Sequence, residues 1–242
     1  YQWQISSNGS SWSDISGATS QDYTPGALTA NRYFRRVVRS GPCVSYSPSV
    51  LITVRPVPSA TVTGATTQCQ GGAQPNVRFT NPTNLPVTVT YRINGGADQT
   101  INVPASNYAD VFAPTGTPGT FVYSLVNVFY QSTPSCQTDV TGSTTITIRP
   151  TPTAVISGSA TVCRGASSPQ ITLTNPMDLA ITVSYTINGS GATNINIPAN
   201  SSRNVNAPTG TAGTFTYGIT NVYYQVNPGC SNNPGGTAVI TV

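Results

Sequence analysis

The stretch from Cys69 to Cys136 recurs from Cys163 to Cys230 at a constant offset of 94 residues, with no gap. Tyr91 maps onto Tyr185, Ala113-Pro114-Thr115-Gly116-Thr117 onto Ala207-Pro208-Thr209-Gly210-Thr211, and Gly119-Thr120-Phe121 onto Gly213-Thr214-Phe215. A gapless copy that carries its own two cysteines is one structural unit repeated in tandem. Such a chain suits reach, or the display of many similar surfaces, better than it suits a single active site.

The residue alphabet points the same way. All ten basic residues are Arg, all six acidic residues are Asp, and His, Lys and Glu are absent. Helices draw mostly on Ala, Leu, Glu, Lys and Gln, whereas an excess of Thr, Ser, Asn, Gly and Pro favours short strands joined by turns. Without His there is no Ser-His-Asp triad, no Cys-His dyad and no imidazole ligand for a metal. The Asp residues are scattered, none in a D-x-D or D-x-N calcium loop, and without Lys there is neither a Schiff base nor a P-loop. The chain reads as non-enzymatic and without a cofactor. A net charge of +4 on 242 residues is too sparse for a nucleic-acid footprint. No apolar run approaches the ~18 residues of a membrane span. The opening Tyr1-Gln2-Trp3 reads as an internal start within a longer protein.

Cys69 and Cys136 are 67 residues apart, as are Cys163 and Cys230. One cysteine near the start and one near the end of each copy fit an intra-repeat disulfide, and hence an oxidising, extracellular setting. Buried free thiols would not require identical spacing in both copies. Cys43 is left over: it lies 13 residues before Pro56, much as Cys136 lies 14 before Pro150. Its partner is expected upstream of Tyr1, in the missing part of a first domain.

Period-2 alternation predicts strands over 60–62, 76–79, 87–93, 99–103, 108–112, 120–129 and 144–148. Val87, Val89, Tyr91 and Ile93 alternate with Thr88, Thr90 and Arg92, and the copy keeps Ile181, Val183, Tyr185 and Ile187 at the matching inward positions. Asn94-Gly95 and Asn188-Gly189 predict hairpin turns, since both residue types tolerate positive φ. About seven short strands in about 90 residues describe an Ig-like β-sandwich. The predicted fold is therefore all-β, with a partial Ig-like domain over 1–56 and Ig-like repeats over 57–150 and 151–242. Arg55-Pro56-Val57-Pro58 and Arg149-Pro150-Thr151-Pro152 form the junctions, where alternating prolines make an extended spacer and the whole a semi-rigid rod. In the first unit, Tyr1–Gln4 and Ser10–Trp12 are expected to pair, with Trp3 in the core and Tyr33–Val38 as the penultimate strand.

The stretch YQWQISSNGSSWSDISGATSQDYTP, followed by RYFRRVV and the Cys43 segment, resembles the Ig-like and PKD-like repeats of very large secreted Bacteroidetes proteins. The gliding-motility adhesins of the SprB type are the nearest kind. Val57-Pro58-Ser59-Ala60-Thr61-Val62 and Thr151-Pro152-Thr153-Ala154-Val155-Ile156 look like the companion repeats. That resemblance implies export by type IX secretion and a place in cell-surface filaments that grip a substratum.

Two groups are candidate contact residues. Arg32, Arg35, Arg36 and Arg39 are the only charge cluster, and guanidinium groups bind carboxylates of acidic polysaccharide in bidentate fashion. Strand alternation splits them, placing Arg32 and Arg36 on one face, so stacking of the Arg stems on Trp3, Trp12 or Tyr33 is the competing reading. Tyr130, with Tyr224 in the copy, sits past the predicted strand end, accompanied by Phe129 and Tyr223, and such an exposed aromatic pair would contact a neighbouring domain or another chain. Tyr91, Tyr123, Tyr185 and Tyr217 read as core. Three Asn-x-Ser sequons, at Asn8, Asn188 and Asn200, are expected to go unused in a bacterial chain.

The sequence thus reads as a stalk of a large bacterial surface adhesin or filament, acting in attachment or gliding beside further Ig-like domains of the same chain. A carbohydrate-binding module, a self-assembling fibre subunit and an accessory region of a secreted hydrolase are the alternatives.

Overall fold

The computed structural model describes residues 1–242, and every regular element in it is a β-strand. The first unit holds β1 (Gln2–Ser6), β2 (Ser13–Asp14), β3 (Arg32–Ser40), β4 (Cys43–Tyr46) and β5 (Val50–Ile52). They form one antiparallel sheet of order β2-β1-β3-β4, with β5 also paired to β3. Trp3 does not reach a closed core. It is half-buried, its ring 5.9 Å from that of Tyr23, and with Pro25, Phe34, Val50 and Ile52 it lines an apolar cavity of about 170 Å³. The reason is that this unit presents a single sheet, so the 19–31 loop lies over the ring in place of a second sheet.

The second unit comprises β6 (Thr61–Thr63), β7 (Thr66–Cys69), β8 (Asn76–Asn81), β9 (Val87–Ile93), β10 (Gln99–Val103), β11 (Asn107–Phe112), β12 (Gly119–Tyr130), β13 (Gln137–Asp139) and β14 (Ser143–Arg149). One sheet has the order β10-β9-β12-β14-β7, with β13 beside β12, and the other is β11-β8-β6. Between them lie Phe79, Val89, Tyr91, Tyr123, Val128 and Ile146, all buried. This two-sheet arrangement is an Ig-like β-sandwich. The alternation that predicted β9 holds in the main: Val87, Val89 and Tyr91 are buried and Arg92 is exposed, although Thr90, expected outward, is buried too. Asn94 (φ 51°) and Gly95 (φ 70°) make the left-handed turn to β10, and the Asn94 side-chain oxygen accepts the Val122 amide at 2.7 Å.

Two features of this unit leave no mark in the sequence pattern. The first is β7, which runs parallel to β14 and brings Cys69 level with Arg149. The chain crosses from the β6 sheet to the β7 sheet at Gly64 (φ +126°), where any Cβ would collide with the Asn76 carbonyl. The second is a β-bulge in β12 between Leu125 and Asn127. A bulge inserts one residue and reverses which positions face inward. Tyr123 and Leu125 are buried before it, Val128 and Tyr130 after it.

The third unit repeats the plan with β15 (Val155–Ser157), β16 (Ala160–Thr161), β17 (Gln170–Asn175), β18 (Ile181–Ile187), β19 (Ser190–Ile197), β20 (Ser201–Asn206), β21 (Thr214–Tyr224), β22 (Ser231–Asn232) and β23 (Thr237–Thr241). Its sheets are β16-β23-β21-β18-β19, with β22 beside β21, and β15-β17-β20. Both repeats also share a buried polar device. Asn81 is inaccessible to solvent and donates through Nδ2 to the carbonyls of Leu85 and Pro104, each at 2.9 Å, while its Oδ1 accepts the Thr83 amide. Asn175 makes the same bonds to Leu179, Pro198 and Met177. Fully satisfied in this way, a buried amide pins the loop entering β9 or β18 to the loop leaving β10 or β19.

Candidate functional site

The most distinctive chemistry lies at the boundary between the second and third units. Cys69 and Cys230, 161 residues apart, form a disulfide with a Cα–Cα distance of 5.5 Å. The intra-repeat pairs Cys69–Cys136 and Cys163–Cys230 read from the sequence do not form. Cys69 ends β7 beside Arg149, at the downstream pole of its unit. Cys136 lies at the upstream pole, its carbonyl accepting the amide of Tyr130 at the far end of β12. The length of β12, roughly 35 Å at ~3.3 Å per residue, separates the two, and a disulfide tolerates no more than about 7 Å between Cα atoms. Equal spacing in both copies therefore records equivalent positions, not partners. Cys43, Cys136 and Cys163 are free thiols, with Cys136 half-buried and the other two exposed. Closing a span as long as Cys69–Cys230 removes unfolded-chain entropy worth about 5 kcal/mol.

An arginine clasp surrounds that bond. Arg149, the last residue of β14, donates from Nη1 to the carbonyls of Val226 (3.2 Å) and Pro228 (2.9 Å) in the loop before Cys230. The linker is held from both sides: the Thr151 amide donates to Gln70 Oε1 at 3.3 Å, and Asn232 Nδ2 to the Pro152 carbonyl at 3.2 Å. Cys69 itself packs against the hydrophobic core of the third unit. The junction between the first and second units reproduces the clasp at the same offset of 94. Arg55 donates from Nη1 to the carbonyls of Ser132 and Pro134, each at 3.1 Å, and from Nη2 to that of Thr133 at 2.9 Å. The rigid fork of a guanidinium suits a row of carbonyls. The Arg-Pro linkers that read as simple spacers are thus also the grips of each junction.

The aromatic candidates change place. Tyr130 and Tyr224 are 0% and 2% exposed, so neither is a surface contact, and both hydroxyls lack a hydrogen-bond partner. The bulge explains the error, since it turns Tyr130 and Tyr224 into the core. Phe129 and Tyr223 point the other way and are half-buried. Burial pushes the Tyr224 phenol up, with Asp178 adding to the shift and Arg149 opposing it.

The arginine candidates are spoken for locally. The Arg35 guanidinium lies 4.2 Å from the ring centroids of both Trp12 and Tyr46, and its Nε donates to Gln4 Oε1 at 2.8 Å. Arg36 sits 4.8 Å over Tyr1 and donates to the Gln21 carbonyl at 2.7 Å. Arg32 bonds only its neighbour's carbonyl, that of Asn31, so Arg32 and Arg36 do not converge. Two of the four, Arg35 and Arg36, thus lie over aromatic rings. A pair the sequence did not single out is Arg78 with Asp110, joined by two bonds of 2.8 and 2.9 Å, with Tyr108 3.5 Å under the guanidinium. Hydrogen bonding to Arg78 holds the Asp110 carboxyl below its ordinary value.

Residues 1–56 match the model of a family described as a domain of unknown function (DUF8696). No curated protein matches the sequence. Among solved structures, the chain is similar to a Ca2+-stabilised ice-binding adhesin of an Antarctic bacterium, with 15% identity over 98% of this chain and a TM-score of 0.41. It spans 64% of that solved chain. A 1.5-MDa bacterial ice-binding adhesin, studied for its retention at the host cell surface, is similar at 14% identity, with 100% of this chain and 86% of the other covered and a TM-score of 0.40. Fibronectin(III)-like modules of CbhA from Clostridium thermocellum align over 76% of this chain and 94% of theirs, at 14% identity and a TM-score of 0.30.

Proposed function

We propose that the chain is an extracellular, non-enzymatic spacer: three Ig-like units, the first partial, in the stalk of a large bacterial surface adhesin or filament. The observation that carries this reading is the Cys69–Cys230 bond, which fastens two repeats to each other and not each repeat to itself. A disulfide inside a domain adds stability to that domain, whereas one across a boundary restricts the angle between two domains. Together with the Arg55 and Arg149 clasps and the short Pro-containing linkers, it favours a semi-rigid rod. Disulfide formation supports an oxidising location outside the cytoplasm. The finer assignment, a gliding-motility adhesin of Bacteroidetes exported by type IX secretion, rests on the sequence resemblance alone. Neighbouring Ig-like domains are the proposed partners, with polysaccharide as the alternative ligand.

Small-angle X-ray scattering of the oxidised chain beside the C69S/C230S variant tests the spacer. The oxidised form is expected to give one sharply defined maximum dimension, and the variant a broader distribution from bending at the junction. Identical profiles would overturn the reading, as would tight polysaccharide binding by the isolated chain that is lost in R36A.

A further inference from the structure

The three free thiols occupy meaningful positions. In each complete repeat the first cysteine lies at the downstream pole and the second at the upstream pole. Cys69 is level with Arg149, and Cys163 follows Val162, whose amide donates to the Thr241 carbonyl at 2.9 Å beside the last strand. Cys136 and Cys230 occupy equivalent upstream sites, each accepting through its carbonyl the amide of Tyr130 or Tyr224 at 3.1 Å. The one bond formed joins a downstream cysteine to the upstream cysteine of the following repeat. That leaves Cys136 facing back and Cys163 facing forward, each where its bonded counterpart sits in the other repeat.

A second observation bears on Cys136 independently. Arg55 grips Ser132, Thr133 and Pro134 as Arg149 grips Val226 and Pro228. The junction around Cys136 is therefore already built to the plan of the bonded one. What it lacks is a strand running beside β5 as β7 runs beside β14, since β5 pairs with β3 alone.

We propose that Cys136 and Cys163 are the open ends of a staggered disulfide ladder, in which the first cysteine of every repeat bonds the second cysteine of the next. For Cys163 the partner is another repeat of the same kind in the same chain. The linker and its Arg clasp set the two cysteines close together, a local concentration that a separate molecule does not match. The inference rests on the spacer reading. Cys43, beside the end of β3 at Ser40, takes the upstream role in the first unit. Chemically, the thiolate of one cysteine attacks a disulfide oxidant such as oxidised glutathione, forming a mixed disulfide and releasing one glutathione thiol. The second cysteine then displaces the other glutathione. Two protons and two electrons leave the protein thiols, and the oxidant is reduced to two thiols.

The test extends the full chain after Val242 with a second copy of residues 149–242, which preserves the offset of 94. The product is folded in a glutathione redox buffer, alkylated, digested without reduction and mapped by mass spectrometry. The peptides of the second cysteines of the two copies differ in mass because only the appended one ends the chain, and fragmentation of each linked peptide locates its bonded cysteines. The expected map has Cys69 bonded to Cys230 and Cys163 bonded to the second cysteine of the appended copy, with Cys136 alkylated. C163S in the extended chain should lose that one bond and keep the native circular dichroism spectrum. A map with Cys69–Cys230 intact but Cys163 alkylated overturns the ladder and leaves the spacer standing. Intra-repeat bonds throughout would remove both. Dimers bridged through Cys163, persisting in the extended chain, would overturn the same-chain assignment and make a second copy the partner.

Discussion

Arg149 donates to the carbonyl of Pro228 as Arg55 donates to that of Pro134, one interaction made twice at a spacing of 94 residues. Each is a cation held by neutral carbonyls of the next unit, so what it contributes depends on the guanidinium fork. R149A is expected to loosen the second junction by about 1 kcal/mol, since charged hydrogen bonds contribute ~1.5–3 kcal/mol when buried and less when partly exposed. R149K should recover little, because an ammonium lacks the fork. The readout is the rate at which dithiothreitol reduces Cys69–Cys230 under native conditions, which should rise in both variants.

The buried amides of Asn81 and Asn175 offer a matched pair of measurements. Replacing either with Ala takes a hydrogen-bond partner from two carbonyls and one amide inside the fold, at a cost of about 3 kcal/mol. Urea denaturation should show N81A and N175A destabilised to a similar degree, each in its own repeat. A cost below that of an ordinary surface substitution would contradict the role assigned to them.

Tyr130 and Tyr224 test the bulge. Y130A should cost about 3–5 kcal/mol, as for truncation of a large buried ring, whereas F129A, on the half-exposed side, should cost much less. Y130F and Y224F are expected to be neutral or up to ~1 kcal/mol stabilising, because they remove a buried hydroxyl that has no partner. Thermal unfolding of the four variants decides the matter.

Burial raises the phenols of Tyr91, Tyr123, Tyr217 and Tyr224 above their ordinary value of 10.0. Their contribution to stability is fully present below pH 10 and is lost as pH rises through the higher folded values. Alkaline titration should therefore show late, cooperative tyrosinate absorbance that coincides with loss of the β-sheet circular dichroism signal. Gradual ionisation with the fold intact would contradict the burial of these rings.

Much of this architecture can be read from the chain. Alternation in Val87–Ile93 locates β9, and Asn94-Gly95 locates the turn after it, because both signals are local and repeated. The parts that misled are those in which a short segment takes its structure from distant neighbours. Thr66-Thr67-Gln68-Cys69 has no apolar alternation, and it is a strand only because β14 offers an edge. Without it the place of Cys69 in the fold is not legible, and equal spacing alone points to an intra-repeat disulfide that does not form. The bulge near Val126, and its copy near Thr220, shift the inward face by one residue without changing the pattern of residue types. The Arg-Pro junctions were visible, but their grip on the next unit's loop depends on how the units meet.

Where the sulfur bridge sits also decides how the chain carries load. Tension entering from the first unit reaches Cys69 and crosses directly to Cys230, bypassing most of the backbone between them. The strands enclosed by that 161-residue span, β8 to β21, can melt or refold without lengthening the tether between the two sulfurs. Between those two residues a pull on the oxidised molecule is therefore borne by a covalent shunt, and only the short strands of these repeats outside it, β6, β7, β22 and β23, are left to be held by the sheets.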